Sequence, residues 1–255
     1  MDRITIIKVG GKVVEETESL NSLLDQFNRI SGNKILVHGG GRSATEFANR
    51  LGIETKMVNG RRITDAATLE IATMVYGGLV NKKIIAGLQA RGINSVGITG
   101  ADLDLIRAKK RPVGEIDYGF VGDVKNVNTR ELRLLINENI TPVVAPLTHD
   151  GEGNLLNTNA DTIASELAIE LTNYFNVYLF YCFEKKGVLM AQDDDSSVIH
   201  DLDSKLFRKY QENGIINAGM IPKLENGFRA KQNGVKEVLI TNPDNIADGK
   251  GTRIL

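Results

Sequence analysis

Five short segments of this 255-residue chain collect the glycines, lysines and arginines with which proteins bind anions. Lys8-Val9-Gly10-Gly11-Lys12 ends an apolar run. Glycines there let a backbone approach a ligand, and the amides of a following helix can hold negative charge. The lysine precedes the glycines, so the segment is neither a Walker A loop nor G-x-G-x-x-G, and taken alone it is equally a tight turn. Val37-His38-Gly39-Gly40-Gly41-Arg42 follows the next apolar run, with His38 placed to brace the loop. Three consecutive glycines leave no side chain between backbone amides and a ligand. In Asn59-Gly60-Arg61-Arg62-Ile63-Thr64 an arginine can fork onto a carboxylate through two parallel hydrogen bonds, with a basic turn as the plainer account. Leu156-Asn157-Thr158-Asn159-Ala160-Asp161 supplies a helix cap in Asn159 and more polar groups than one cap needs. In Gly219-Met220-Ile221-Pro222-Lys223, Lys223 falls in the first turn of a helix opened by Pro222, the unfavourable end for a cation unless an anion lies nearby.

The elements that must carry these segments alternate. Short apolar runs at 4–9, 34–37, 95–98, 142–145, 177–181 and 237–240 read as strands buried on both faces. Helical patterns lie near 18–30, 43–50, 65–90, 130–138, 160–172, 203–212 and 223–232. This predicts an α/β fold, a three-layer αβα sandwich with a mostly parallel central sheet. The two glycine turns then share the carboxyl edge of that sheet, where open α/β sheets bind ligands. Residues 53–63, 105–110 and 117–124 read as one β-ribbon at the sheet's edge, and the polar stretch 146–158 divides an N-lobe (about 1–150) from a C-lobe (about 151–255). The 65–90 pattern predicts a helix capped by Thr64 with Asp65 in its first turn and Ile71, Val75 and Leu79 as its apolar face. Gly77-Gly78 in its middle serves either packing on its own sheet or a helix crossing in a dimer.

Composition removes several function classes. Lysine and arginine number 31 against 32 acidic residues, a net charge of −1, which gives no global field for nucleic acid or a membrane surface. No run approaches the ~20 apolar residues of a membrane span, and the first residues do not read as a secretory signal. One cysteine excludes an intramolecular disulfide, so a cytoplasmic protein is expected. His38, His149, His200 and Cys182 lack metal-ligand spacing, Cys182 reads as inert core, and Asp193-Asp194-Asp195 as a solvated turn. The 26 glycines beside five prolines are therefore the compositional feature that calls for a function.

In their order and spacing the five segments, together with Gly251-Thr252-Arg253-Ile254, resemble the amino-acid kinase family over almost the whole chain, and within it the acylglutamate-phosphorylating branch. The resemblance implies the carbamate kinase-like fold and transfer of phosphoryl from ATP to the side-chain carboxylate of an N-acyl-L-glutamate, giving an acyl phosphate in the second step of arginine biosynthesis. It assigns Lys8 and Lys223 as transition-state stabilisers, Asp161 as the residue that holds them, Gly40, Gly41, Arg62 and Asn157 to the acyl glutamate, and Gly10, Gly11, Glu184, Gly187, Leu189, Ile215 and Asn217 to the nucleotide. Mg²⁺ would arrive with the ATP phosphates. A carboxylate acceptor is already an anionic nucleophile, so no general base is needed.

Three departures from the family pattern stand out. Glu184-Lys185-Lys186-Gly187 replaces an aspartate-led loop, Ala218 stands for a usual aspartate, and Arg61 for a usual leucine. Arg61 turned into the site would favour an acyl group with its own carboxylate, succinyl rather than acetyl; turned to solvent, it would be neutral. The competing readings are a ligand-sensing homologue that has lost catalysis, an aspartate, carbamate or uridylate kinase, and a nicotinamide oxidoreductase, which the lack of G-x-G-x-x-G disfavours. The family's arginine-inhibited hexamers carry a helix ahead of the first strand. With a strand beginning near Ile4, a homodimer without arginine feedback, joined through the 64–88 helix, is expected.

Overall fold

In the computed structural model, residues 1–58, 61–216 and 219–255 are described. The six apolar runs form strands at the expected places: β1 (Arg3–Val9), β2 (Asn33–His38), β5 (Ser95–Ile98), β8 (Thr141–Val144), β11 (Asn176–Cys182) and β13 (Glu237–Thr241). With β12 (Asp201–Leu202) and β14 (Thr252–Ile254) they build, among the described residues, an eight-stranded sheet in the order β12-β14-β13-β11-β1-β2-β8-β5. Pairing is parallel except between β13 and β14.

Helices cover both faces: α1 (Gly11–Glu15), α2 (Thr17–Arg29), α3 (Gly41–Arg50), α4 (Ala66–Ala72), α5 (Asn81–Gln89), α6 (Thr129–Asn137), α7 (Ala160–Leu171), α8 (Ser204–Glu212) and α9 (Ile221–Gln232). Because successive strand residues point to opposite faces, Ile4 and Ile6 join the apolar layer shared with α7 and α9, while Ile7 and Val9 join the layer under α2 and α3. Lys8 has the parity of Ile4 and Ile6. Alternation alone therefore aims it at α7 and α9.

The expected β-ribbon is two separate structures. Residues 57–58 and 61–62 form a hairpin of β3 (Met57–Val58) and β4 (Arg61–Arg62). The segments near 105 and 120 become β6 (Ile106–Lys110) and β7 (Gly122–Val127), which sheet with β9 (Leu147–His149) and β10 (Leu155–Asn157). The polar stretch 146–158 is thus the hairpin of β9 and β10, with Asp150 accepting from Glu152 and Asn154 at its tip.

The 65–90 helix differs in three ways. Asp65 is the cap, accepting from the Thr68 amide, because Thr64 is held in a bridge to Gly119 and its carbonyl accepts from Phe120. Residues Thr73–Val80 are wound as a π-helix between α4 and α5. A stripe spaced by four drifts off the buried face of that wider turn. Ile71 and Val75 are 2% exposed, but Leu79 is 50% exposed and Val80 is buried in its place.

Candidate active site

β1 sits where the strand order reverses, with β2 on one side and β11 on the other. The carboxyl end of such a strand is a crevice between two outgoing loops. Here the ladder continues one step past the strands: the Gly10 amide donates to Cys182 O (2.9 Å) and Gly39 to Val9 O (3.0 Å). Both glycine loops therefore leave the same edge side by side. Above them opens a cavity of about 770 Å³, large enough for a nucleotide and a small acid together.

Lys8, 6% exposed, reaches from β1 into the floor of this cavity. Its Nζ lies 2.7 Å from Asp161 Oδ1, and Lys223 Nζ lies 3.4 Å from Oδ2 of the same carboxylate. Asp161 comes from the first turn of α7, whose Asn159 cap accepts from the Thr162 amide. Lys223 comes from the first turn of α9 after Pro222. The anion required to explain a lysine at that helix end is Asp161. Burial alone would push the Asp161 carboxyl up, and the charges of Lys8 and Lys223 together outweigh it and hold it below the ordinary carboxylate range. Burial draws the Lys8 ammonium down, Asp161 opposes this, and the Lys223 charge adds to the lowering. One carboxylate thus serves two cations and leaves a net positive charge facing the cavity.

On the opposite wall, Arg62 Nη2 donates to Gly41 O and to Thr45 Oγ1, both at 2.8 Å. Its Nη1 is buried with no acceptor among the described residues. A guanidinium fixed by one nitrogen and bare on the other is prepared for a carboxylate. Tyr76, from the π-helix, closes this wall from behind: a Cβ on Gly40 would stand 3.0 Å from its ring. Any larger residue there would crowd the ring.

The structure brings Lys8, Gly10, Gly11, Gly41, Arg62, Glu184, Gly187, Leu189, Ile215 and Lys223 to the cavity surface. Gly40 and Asp161 stand directly behind it. Asn157 does not reach it; its amide donates to Thr64 Oγ1 at 3.0 Å. Arg61 is exposed and outside the lining, since neighbouring residues of β4 face opposite ways and Arg62 takes the inward position. Asn217 and Ala218, like Asn59 and Gly60, lie outside the described residues.

Lys12 and Lys185, from two of the segments singled out above, also line the cavity, as do Asp193, read from sequence as part of a solvated turn, and Thr45, which sequence reasoning overlooked. Thr45 was findable, four residues beyond Gly41 on the same helix face. Of the aspartate run, Asp194 does cap its own turn through Ser196, Asp195 pairs with Lys185 (3.1 Å), and Asp193 reaches the cavity. Cys182 is buried and its thiol is pushed up by burial. His149 pairs with Asp104 at 2.9 Å, away from the cavity.

The model of the amino acid kinase family matches residues 3–242. The acetylglutamate kinase of Parabacteroides distasonis is 61% identical over 254 residues, covering the whole of both chains. Among solved structures, smu.665 from Streptococcus mutans UA159 superposes with a TM-score of 0.84 at 27% identity over 98% of each chain. Carbamate kinase from Giardia lamblia, bound to AMP-PNP, gives 0.71 at 13% identity, over 100% of this chain and 98% of its own, a likeness of fold.

Proposed function

Because this chain belongs to the amino acid kinase family, we propose that its cavity joins ATP to an N-acyl-L-glutamate and moves the γ-phosphoryl group onto the side-chain carboxylate, the acyl phosphate-forming step of arginine biosynthesis. Relatives across the full length carry the name acetylglutamate kinase. The observation that supports the reading best is the Lys8–Asp161–Lys223 triad facing the half-paired Arg62 across one cavity.

The chemistry asks for little beyond charge and position. The acceptor oxygen is anionic at neutral pH, so no proton need be removed. His38 is fully buried, and among the described residues no histidine lines the cavity. What must be overcome is repulsion between two anions and the spread of charge over the moving phosphoryl oxygens. Lys8 and Lys223 supply fixed positive charge at that point, and Asp161 holds their ammonium groups in place. The Gly11, Gly40 and Gly41 backbone offers amides, and Gly10, whose own amide is engaged by Cys182 O, lets the chain pass close to the ligand. Arg62 Nη1 takes the α-carboxylate, and Asn157 supports the hairpin that carries Arg62 through Thr64.

ATP is placed against Glu184, Gly187, Leu189 and Ile215, so residues 1–150 form the acceptor wall and 151–255 the nucleotide wall. Among the described residues no three His, Cys, Asp or Glu side chains cluster to hold a metal. A Mg²⁺ ion would therefore be held by the ATP phosphates, with Glu184 or Asp193 within the same cavity, and would neutralise phosphate charge. A cytoplasmic homodimer completes the reading. No described helix is long and apolar enough to cross a membrane. Met74 and Leu79 expose 58% and 50% of their surface on the π-helix beside Gly78, where a Cβ would meet nothing within 4 Å beyond the backbone of its own helix.

Hydroxylamine trapping of the acyl phosphate tests the proposal with purified protein, ATP, Mg²⁺ and either N-acetyl- or N-succinyl-L-glutamate. Hydroxamate should form with at least one acceptor, and Lys8→Ala should lower kcat about 10²- to 10³-fold. No product with either acceptor refutes it. Because Arg61 points away, Arg61→Leu should leave the ratio of kcat/KM for the two acceptors unchanged.

A further inference from the structure

His38 and Asn81 form a buried polar pair that the reaction does not use. His38 is 0% exposed and Asn81 1%. Buried polar groups are costly unless fully paired, and these are. His38 Nδ1 lies 2.7 Å from Gly39 O, and Nε2 lies 3.1 Å from Asn81 Nδ2. The same amide nitrogen donates to Val143 O at 3.0 Å, and Asn81 Oδ1 accepts from Lys82 Nζ at 3.1 Å.

This network permits one arrangement of protons. A carbonyl oxygen only accepts, so Nδ1 carries the hydrogen that meets Gly39 O. Nε2 is then bare and accepts from Asn81. Turning the amide over would set Oδ1 against Val143 O and its NH₂ against the Lys82 ammonium. His38 is thus a neutral ring of one tautomer, held in it by Asn81.

The consequence lies on the far side of the next peptide bond. A trans peptide is planar, with its C=O and N–H pointing in opposite directions. Holding Gly39 O toward His38 therefore turns the Gly40 N–H away from it. Gly40 N and Gly41 N each lie 3.6 Å from where a Cβ on the cavity-lining Gly11 would stand, and neither has an acceptor among the described residues. We propose that His38 is a positioning residue: its Nδ1–H fixes the Gly39–Gly40 peptide so that the glycine amides face the cavity, and Asn81 keeps the proton on that nitrogen.

Two features are explained by this device and by nothing else described above. On an α-helix Tyr76 and Asn81, five residues apart, would point about 140° away from each other. The i→i+5 winding of Thr73–Val80 brings them to one side, the ring onto Gly40 and the amide onto His38. Gly97 is the second feature, since a Cβ there would stand 1.7 Å from Asn81 Oδ1.

Nitrogen-15 NMR of the imidazoles, three per chain, reads the tautomer without reference to activity. His38 should be neutral and Nδ1-protonated at pH 7; an Nε2–H or charged ring overturns the proposal. Two variants separate position from bulk. His38→Asn puts an amide donor near the Nδ1 place, whereas His38→Gln faces Asn81 but offers Gly39 O no donor. Expected is a kcat loss of about 10²-fold for the glutamine variant, a smaller loss for the asparagine variant, and an unchanged KM for ATP in both. Equal losses overturn the proposal. Should neither variant fold, the wild-type tautomer decides alone. The kinetic arm rests on the phosphoryl-transfer reading; a wild-type protein without hydroxamate product refutes that reading and leaves the NMR result standing by itself.

Discussion

The two walls of the cavity are built by different means. The acceptor wall is a set of buried, mutually bonded side chains: Arg62 tied to Gly41 and Thr45, Tyr76 against Gly40, and His38 locked to Asn81. The nucleotide wall is mostly backbone and rim. Glu184 is exposed, Lys185 pairs with Asp195 near the surface, and Gly187 and Leu189 offer little more than shape. On the function proposed above, the first wall would select by rigid donors aimed in advance, and the second would accept a ligand that brings its own charges. Glu184 and Lys185 alter the pliant wall, and Arg61 alters neither, while Arg62 keeps its place in the rigid one.

The contrast can be broken most severely at Arg62. Arg62→Ala leaves a buried carboxylate site without its partner, a loss of about 2 kcal/mol or about thirtyfold in acceptor KM. The KM for ATP should not change, and a parallel rise in both would mean that the walls are not separate.

Acid should loosen the rigid wall as a matter of folding stability. Burial, opposed by the bond to Gly39 and assisted by the Lys82 charge, lowers His38 from 6.5 to about 4. Between those values the unfolded chain binds a proton that the folded chain refuses, so stability rises with pH across that window and is lost as pH falls through it. The protein should be about 2 kcal/mol less stable to urea at pH 5 than at pH 7.5, with Asp161, whose folded value is lowered, adding a further loss only at still lower pH. A flat stability profile between pH 5 and 7.5 would contradict the buried network.

At the pliant wall the expected effect is small. Lys185→Ala removes a rim pair worth no more than about 1 kcal/mol, so the KM for ATP should change less than about fivefold. A larger change would show that the loop carries nucleotide affinity that its exposure does not suggest.

Much of this was legible in the chain itself, for identifiable reasons. The six strands of the apolar runs announce themselves because burial on both faces favours apolar side chains throughout, and Lys8 stands out as the charge near the end of one of them. Arg62 and Arg61 could not be told apart, because which of two neighbours turns inward depends on the register of a two-residue hairpin that leaves no pattern. The π-helix was invisible for the opposite reason. Ile71, Val75 and Leu79 give a convincing α-helical stripe, and only the packing of Val80 and the exposure of Leu79 show the winding to be wider. Five-residue α1 and two-residue β12 are too short for periodicity to register. Asp65 and Thr64 are both good caps, and a contact made 55 residues later in the chain, with Gly119, decides between them.

The position of β1 also governs how the molecule can be made. Arg3 pairs with Asn33 only through its neighbour Ile4 but with Asn176 directly, so β1 is completed by a strand synthesised far later than itself. Contacts of such separation form slowly and leave an edge unpaired meanwhile. Lys8 waits likewise for Asp161 of α7 before its charge is matched. The β1–β2 half of the sheet therefore cannot mature as an independent folding unit: a nascent chain halted before residue 176 would hold Asp161, the partner of Lys8, yet leave β1 unpaired along the whole edge that β11 later covers.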